Sequence, residues 1–234
     1  LGFPKVAEPT WDDFLQTIHP EDRDLVISII NAHINEGQKC DVEYRIIDPQ
    51  GETRWMRSIG KAEFDSNRKP LKLRGTVQEI TDLKKAEEQL LLISKVFSET
   101  TEGIIITDKN SIILNVNPAF CDITGYSRNE IIGQKPSTLN SGKQTPEFYL
   151  NMWQNLNKYG TWQGEIWNRK KDGIVYAELL SISSIVDENN QTVNYIGLFT
   201  DITLSKKQQE ALKQMAHYDV LTQLPNRVLL IDRF

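Results

Sequence analysis

Cysteine is almost absent from this chain: Cys40 and Cys121 are the only two in 234 residues. Two thiols are too few for a disulfide framework or a structural zinc site, and they make a reducing cytoplasm the default compartment. Histidine is nearly as scarce, and His19, His33 and His217 have no second ligand at metal spacing, so no metal site is expected. Long apolar runs are missing too. Stretches such as Leu90-Leu91-Leu92-Ile93 and Ile104-Ile105-Ile106 fall far short of the roughly 20 residues that cross a bilayer. Positive charge is not in excess: a formal net charge of −5 and a pI near 5.4, with Lys and Arg scattered, argue against nucleic acid as a partner. The chain opens at Leu1 without a start Met or signal peptide and is expected to be a segment of a longer protein.

What is present is an ordinary globular composition, 39% hydrophobic and 25% charged, with a clear internal repeat. An offset of 122 residues brings Gly51 onto Gly173, Gly75 onto Gly197, Glu43 onto Glu165, Ile80-Thr81 onto Ile202-Thr203 and Lys84-Lys85 onto Lys206-Lys207. Each copy reads as three strands and a helix. In the first copy the strands are expected from Asp41 to Ile47, Thr53 to Phe64 and Leu71 to Ile80. In the second they are expected from Gly164 to Lys170, Ile174 to Val186 and Val193 to Ile202. The connectors Asp48-Pro49-Gln50-Gly51 and Lys171-Asp172-Gly173 are hairpin turns by composition. Leu71, Leu73, Gly75 and Val77 alternate with polar residues, the pattern of an antiparallel strand buried on one side. Upstream of each trio a Pro opens a helix with acids at its positive end. Pro20-Glu21-Asp22 begins one with Leu25, Ile29 and Ala32 on its apolar face, and Pro146-Glu147 begins the other with Phe148, Met152 and Leu156. Helices followed by an antiparallel sheet make an α+β fold.

These segments resemble the PAS sensor family, in which a five-stranded antiparallel sheet with helices on one face encloses a ligand or cofactor pocket. The second copy carries its motifs in order: Gly103-Ile104-Ile105-Ile106-Thr107-Asp108, Asn117-Pro118-Ala119-Phe120, Thr124-Gly125-Tyr126-Ser127, Ile132-Gly133 and the exit Asp201-Ile202-Thr203. The first copy is similar to a subfamily through Leu1-Gly2-Phe3, His19-Pro20-Glu21-Asp22-Arg23 and Arg54-Trp55, but it lacks the family's first two strands. Such a sheet is left with an exposed edge. The tail His217-Tyr218-Asp219-Val220-Leu221-Thr222-Gln223-Leu224-Pro225-Asn226-Arg227 resembles the opening of the GGDEF family of diguanylate cyclases, which make cyclic di-GMP from GTP. The family's catalytic and metal-binding residues lie further on, so no catalytic residue is expected here. The resulting plan is a PAS domain over residues 1–83, truncated at its N-terminus, a linker helix over 84–98 and a second PAS domain over 99–204. A second linker helix over 205–217 and the start of a GGDEF domain over 218–234 complete it.

Within the second domain, Trp153 and Asn168 match flavin-contacting positions in redox PAS domains of nitrogen-fixation and methane-oxidation regulators. The resemblance implies FAD or FMN there, an indole packing beside the ring and an amide bonding its edge. Core packing plus a strand Asn is the other reading of Tyr149, Trp153, Trp162, Trp167 and Asn168. Relatives carry polar residues where this chain has Ile105 and Pro136. The segment from Lys135 to Gly142 has no Cys for photoadduct chemistry, and Thr145 to Asn157 offers no axial His for haem.

The expected function is sensory input to a downstream diguanylate cyclase, with change in a PAS core leaving through Ile80-Thr81 and Asp201-Ile202-Thr203 into the next helix. Asp201 and Thr203 stand where their side chains can bond free helix N–H groups or a nearby base. Leu83, Ala86, Leu90, Ile93 and Phe97 follow the spacing of a coiled-coil seam, which implies a parallel homodimer or, alternatively, a helix packed on its own domain. A ligand-free dimerising spacer and a histidine kinase output are the rival readings.

Overall fold

A computed structural model of the protein describes residues 10–36, 39–65 and 70–217, and the chain separates into two units, Leu1–Ile93 and Ser94–Phe234. The start of the first copy, Leu1-Gly2-Phe3, and the tail from Tyr218 onward lie outside the described residues.

The first unit is organised by alternation. Helix α1 (Trp11–Thr17) starts at a capping box in which Thr10 and Asp13 bond each other's backbone N–H. A single 3₁₀ turn (Pro20–Asp22) leads into α2 (Arg23–Glu36), followed by strands β1 (Cys40–Ile47), β2 (Thr53–Phe64) and β3 (Pro70–Glu79). Cys40, Val42, Tyr44 and Ile46 of β1 are buried in strict alternation and form the core with Ile18, Val26 and Met56. The helix face differs from the expected one: Val26 is fully buried, Ile29 and Ile30 pack on the core, and Leu25 is 52% exposed. The 3₁₀ turn sets the phase, so the stripe runs Val26, Ile29, Ile30, His33 rather than through Leu25. Asp22 anchors this start to the sheet, accepting from Arg45 Nη2 at 2.6 Å and from its backbone N–H at 2.8 Å.

The sheet of the first unit has three antiparallel strands in the order β1-β2-β3. The expected one-sided burial of β3 is not met: residues from Arg74 to Glu79 are exposed on both faces, and Val77 is 47% exposed. At the 122-residue offset β3 matches β8 (Thr192–Asp201), which in the second unit is flanked on both sides. Among the described residues of the first unit, no strand pairs with the outer edge of β3.

The second unit is complete by the same measure. Strands β4 (Gly103–Asp108), β5 (Ile113–Val116), β6 (Thr161–Arg169), β7 (Val175–Val186) and β8 form an antiparallel sheet in the order β5-β4-β8-β7-β6. Helices α4 (Pro118–Thr124), α5 (Arg128–Ile131) and α6 (Pro146–Tyr159), with a 3₁₀ turn (Pro136–Leu139), lie between β5 and β6 in the chain. Buried Asn117 ties the helical segment to the sheet. Its Oδ1 accepts from Ile104 N and Phe120 N, and its Nδ2 donates to Glu102 O. Helix α6 is capped by Thr145 and ends at Gly160, whose φ of 74° is the left-handed conformation that stops a helix. The core joins Ile105, Ile113, Val116 and Phe199 of the sheet to Phe120, Ile131 and Leu139 of the helical segment. The architecture is two PAS folds in an α+β chain.

A helix follows each sheet: α3 (Thr81–Glu99) after β3 and α7 (Thr203–His217) after β8. No described residue of α3 is buried. No described helix is long and apolar enough to cross a membrane.

Candidate functional site

Beneath the sheet of the second unit lies a cavity of about 440 Å³, within the ~300–1,000 Å³ range of small-molecule sites. Its wall is apolar, with Ile105, Phe120, Leu139, Met152, Leu180 and Phe199. Its exposed rim is polar, with Asn110, Lys135, Ser137 and Asn140. Gly197 helps to shape it, since a Cβ there would stand 2.7 Å from Ile105 Cγ2. The cavity brings together Trp153 and Asn168, the two residues singled out in the sequence, along with Ile105 and Pro136. Trp153 stands edge-to-face with Tyr195 at 5.5 Å, and Tyr149 is also on the wall. Trp162 and Trp167 are not in the lining. Trp162 packs against Phe148 at 5.8 Å, and Trp167 carries the Lys143 ammonium over its ring.

One residue of the site was missed in the sequence. Glu178 lines the cavity, is only 2% exposed, and accepts from Asn168 Nδ2 through Oε1 at 2.8 Å. Its other oxygen, Oε2, has no partner, and neither has the hydroxyl of Tyr176, two residues earlier on the same strand face. Burial pushes the Glu178 carboxyl up to about 7, against the pull of Tyr176 and Asn168. Burial first, and then the Glu178 charge, holds Tyr176 well above its usual range. The signal was present in the sequence: Tyr176, Glu178, Leu180 and Ile182 share the inward register of β7, and a lone carboxylate among them breaks the apolar pattern.

The strand-to-helix joint sits next to this carboxyl. Ala177, immediately before Glu178, donates its N–H to Thr203 Oγ1 at 2.9 Å, and its carbonyl accepts from Ile202 N at 2.9 Å. Asp201 Oδ1 accepts from Thr203 N at 2.9 Å, capping the first free N–H of α7, and Oδ2 takes the Lys170 ammonium at 3.1 Å. Burial opposes the Asp201 charge, but Thr203 and Lys170 outweigh it and hold the carboxyl below its usual range. The first unit repeats the arrangement. Trp55 donates its N–H to Thr81 Oγ1 at 3.0 Å and accepts from Ile80 N at 2.8 Å, with Ile80 buried. Each joint also carries the same ion pair one turn into its helix, Lys84 with Glu43 at 2.7 Å and Lys206 with Glu165 at 2.5 Å.

Residues 101–204 match the PAS domain family, and residues 4–77 match a family described as the PAS fold. The nitrogen fixation regulatory protein of Klebsiella oxytoca is 30% identical over 136 residues, covering 57% of this chain and 28% of that protein. A blue-light-activated histidine kinase of Brucella ovis is 36% identical over 94 residues, covering 40% of this chain and 18% of that protein. This chain therefore spans little more than a quarter of the first relative and less of the second. Among solved structures, the PAS domain of a protein from Colwellia psychrerythraea is 28% identical with a TM-score of 0.47, covering 50% of this chain and 98% of that one. The two family matches together take in most of the chain, which is built from two PAS domains.

Proposed function

We propose that this chain is the sensory input and signal-transmission module of a cyclic di-GMP signalling protein, in which a small molecule held by the second PAS domain sets the activity of a diguanylate cyclase. The observation that carries the reading is adjacency: Glu178 lines the cavity, and Ala177 beside it holds both backbone bonds of the joint to α7. A change at the carboxyl reaches the outgoing helix through a single peptide unit. The nitrogen fixation regulatory protein and the blue-light-activated histidine kinase among the relatives support a signalling role, and the string from Asp219 to Arg227 supports a cyclase rather than a kinase output.

A flavin fits the residues present. Glu178 and Asn168 offer adjacent polar groups to the edge of a ring, and Trp153 and Tyr195 offer aromatic surface. Ile105 and Pro136 contribute packing but no side-chain hydrogen bond. FAD or FMN bound there would supply redox chemistry that the chain itself lacks. The roomy cavity and its unpartnered carboxyl oxygen favour a ligand-bearing domain over a ligand-free spacer.

The full-length protein tests this directly. It is expected to form cyclic di-GMP from GTP at a rate that responds to the stimulus, and Asp201→Ala is expected to abolish the response while leaving the fold intact. Histidine phosphorylation from ATP in place of cyclic di-GMP, or an unchanged response in Asp201→Ala, counts against it.

A further inference from the structure

Glu178 presents an electrostatic problem that the described protein does not solve. Two of the groups that face it, Tyr176 on its own strand and Asn168 on β6, are neutral. Its cross-strand partner on β8 is Asp201, and Tyr149 approaches from α6. None of these four is a cation. The nearby bases are engaged elsewhere: Lys170 with Asp201 at 3.1 Å and over the Tyr176 ring, and Arg169 with the Ser141 carbonyl at 2.9 Å. An ionised carboxylate buried without a counter-charge is strongly disfavoured, so the group takes a proton. Oε1 already accepts from Asn168, which puts that proton on Oε2, where the Tyr176 hydroxyl stands near but no bond is formed, so an acceptor entering the cavity can take it.

We propose that Glu178 is a neutral carboxylic acid in the resting protein and that its Oε2 hydroxyl is the selective hydrogen-bond donor of the cavity. The site therefore takes molecules whose inserted ring is planar and uncharged and presents a carbonyl or ring-nitrogen acceptor, and it releases them when the carboxyl ionises. This rests on the ligand-binding reading of the same cavity. Size and aromatic wall set the planar preference, through Trp153, Tyr195 and Phe120. Selectivity comes from the donor: an acceptor satisfies Oε2, whereas an anionic ring edge would meet the Glu178 carboxyl itself, since Lys135, the cation of the lining, stands at the exposed rim. Because the folded carboxyl keeps its proton to about 7, binding is fully present in acid and is lost as the pH rises through neutrality.

The test uses the full chain and riboflavin as probe. The infrared spectrum of the free wild-type protein is expected to show the carbonyl band of a protonated carboxyl at about pH 5.5 that disappears by about pH 8.5. Glu178→Gln, folded by circular dichroism, is expected to lack that band. Riboflavin is expected to bind the wild type roughly tenfold or more weakly at the higher pH, by the loss of one charge-linked donor. Glu178→Gln, whose amide N–H still donates, is expected to bind alike at both. Absence of the band from the wild type in acid overturns the proposal, and so does riboflavin binding that is unchanged across the pH range. The band without riboflavin uptake rejects flavin as the ligand and supports the neutral-donor assignment, so the two claims fail separately.

Discussion

A buried hydroxyl with no partner is a liability, and Tyr176 has one. The ring is 1% exposed and contributes its area to the floor beneath β6, where Tyr176 faces Asn168 across the strands. Its oxygen stands near the polar groups of Glu178 and Asn168, yet no bond to either is formed. Leaving a hydroxyl buried and unsatisfied costs about 1–3 kcal/mol, while removing it from a site of the same shape costs almost nothing. Tyr176→Phe is therefore expected to raise the stability of the second unit by about 1 kcal/mol in urea unfolding. A loss of similar size would mean that the hydroxyl is satisfied. That Tyr176 and Glu178 are tolerated together fits their place beside the joint, where polar groups that cost stability concentrate at working sites.

At the level of elements, much was legible. The bounds of β2 follow directly from the flanking turns, and β1, β3, β6, β7 and β8 begin and end within a few residues of the sequence reading. Turn chemistry explains this: Gly51 and Gly173 have φ of 85° and 89°, which few other residues accept, and Asp48 bonds the N–H groups of Gln50 and Glu52. Among the described residues the first sheet has three strands, in line with the resemblance, in which the first copy lacks the family's first two strands. Two things were not legible. The phase of α2 depends on a 3₁₀ turn whose length composition does not reveal, so Leu25 was placed inward in error. The exposure of Val77 depends on a neighbouring strand, and alternation along β3 alone carries no information about it. Helix α3 supplies the element-scale prediction. Leu83, Leu90 and Ile93 of its seam are 54%, 67% and 64% exposed, so its own unit does not cover the stripe. A second copy of the chain is the proposed cover, through a parallel coiled coil. Sedimentation is expected to find a dimer that Leu90→Glu with Ile93→Glu splits; a wild-type monomer at high concentration removes the argument.

On the scale of the molecule, one joint has been built twice. In each PAS domain a threonine at the start of the outgoing helix accepts a backbone N–H of the middle strand, and a lysine one turn on pairs with a strand glutamate. The ion pairs are partly exposed and screened by solvent, so they contribute little. The backbone bonds are the more rigid connection, since a buried N–H must keep its partner. In the second domain the strand residue after the joint's backbone partner is the buried cavity carboxyl Glu178, where the first domain has the apolar Met56, which is why the sensing role is assigned there. The most direct measurement is a pH titration of backbone amide shifts by NMR, from about pH 5 to about pH 8.5, on wild type and Glu178→Gln. The account predicts that Ala177, Ile202, Thr203 and Lys206 shift together with a midpoint of about 7 in the wild type and stay flat in the variant. A titration seen at Glu178 and Asn168 but absent from Ile202, Thr203 and Lys206 would show that the cavity and the joint are not coupled.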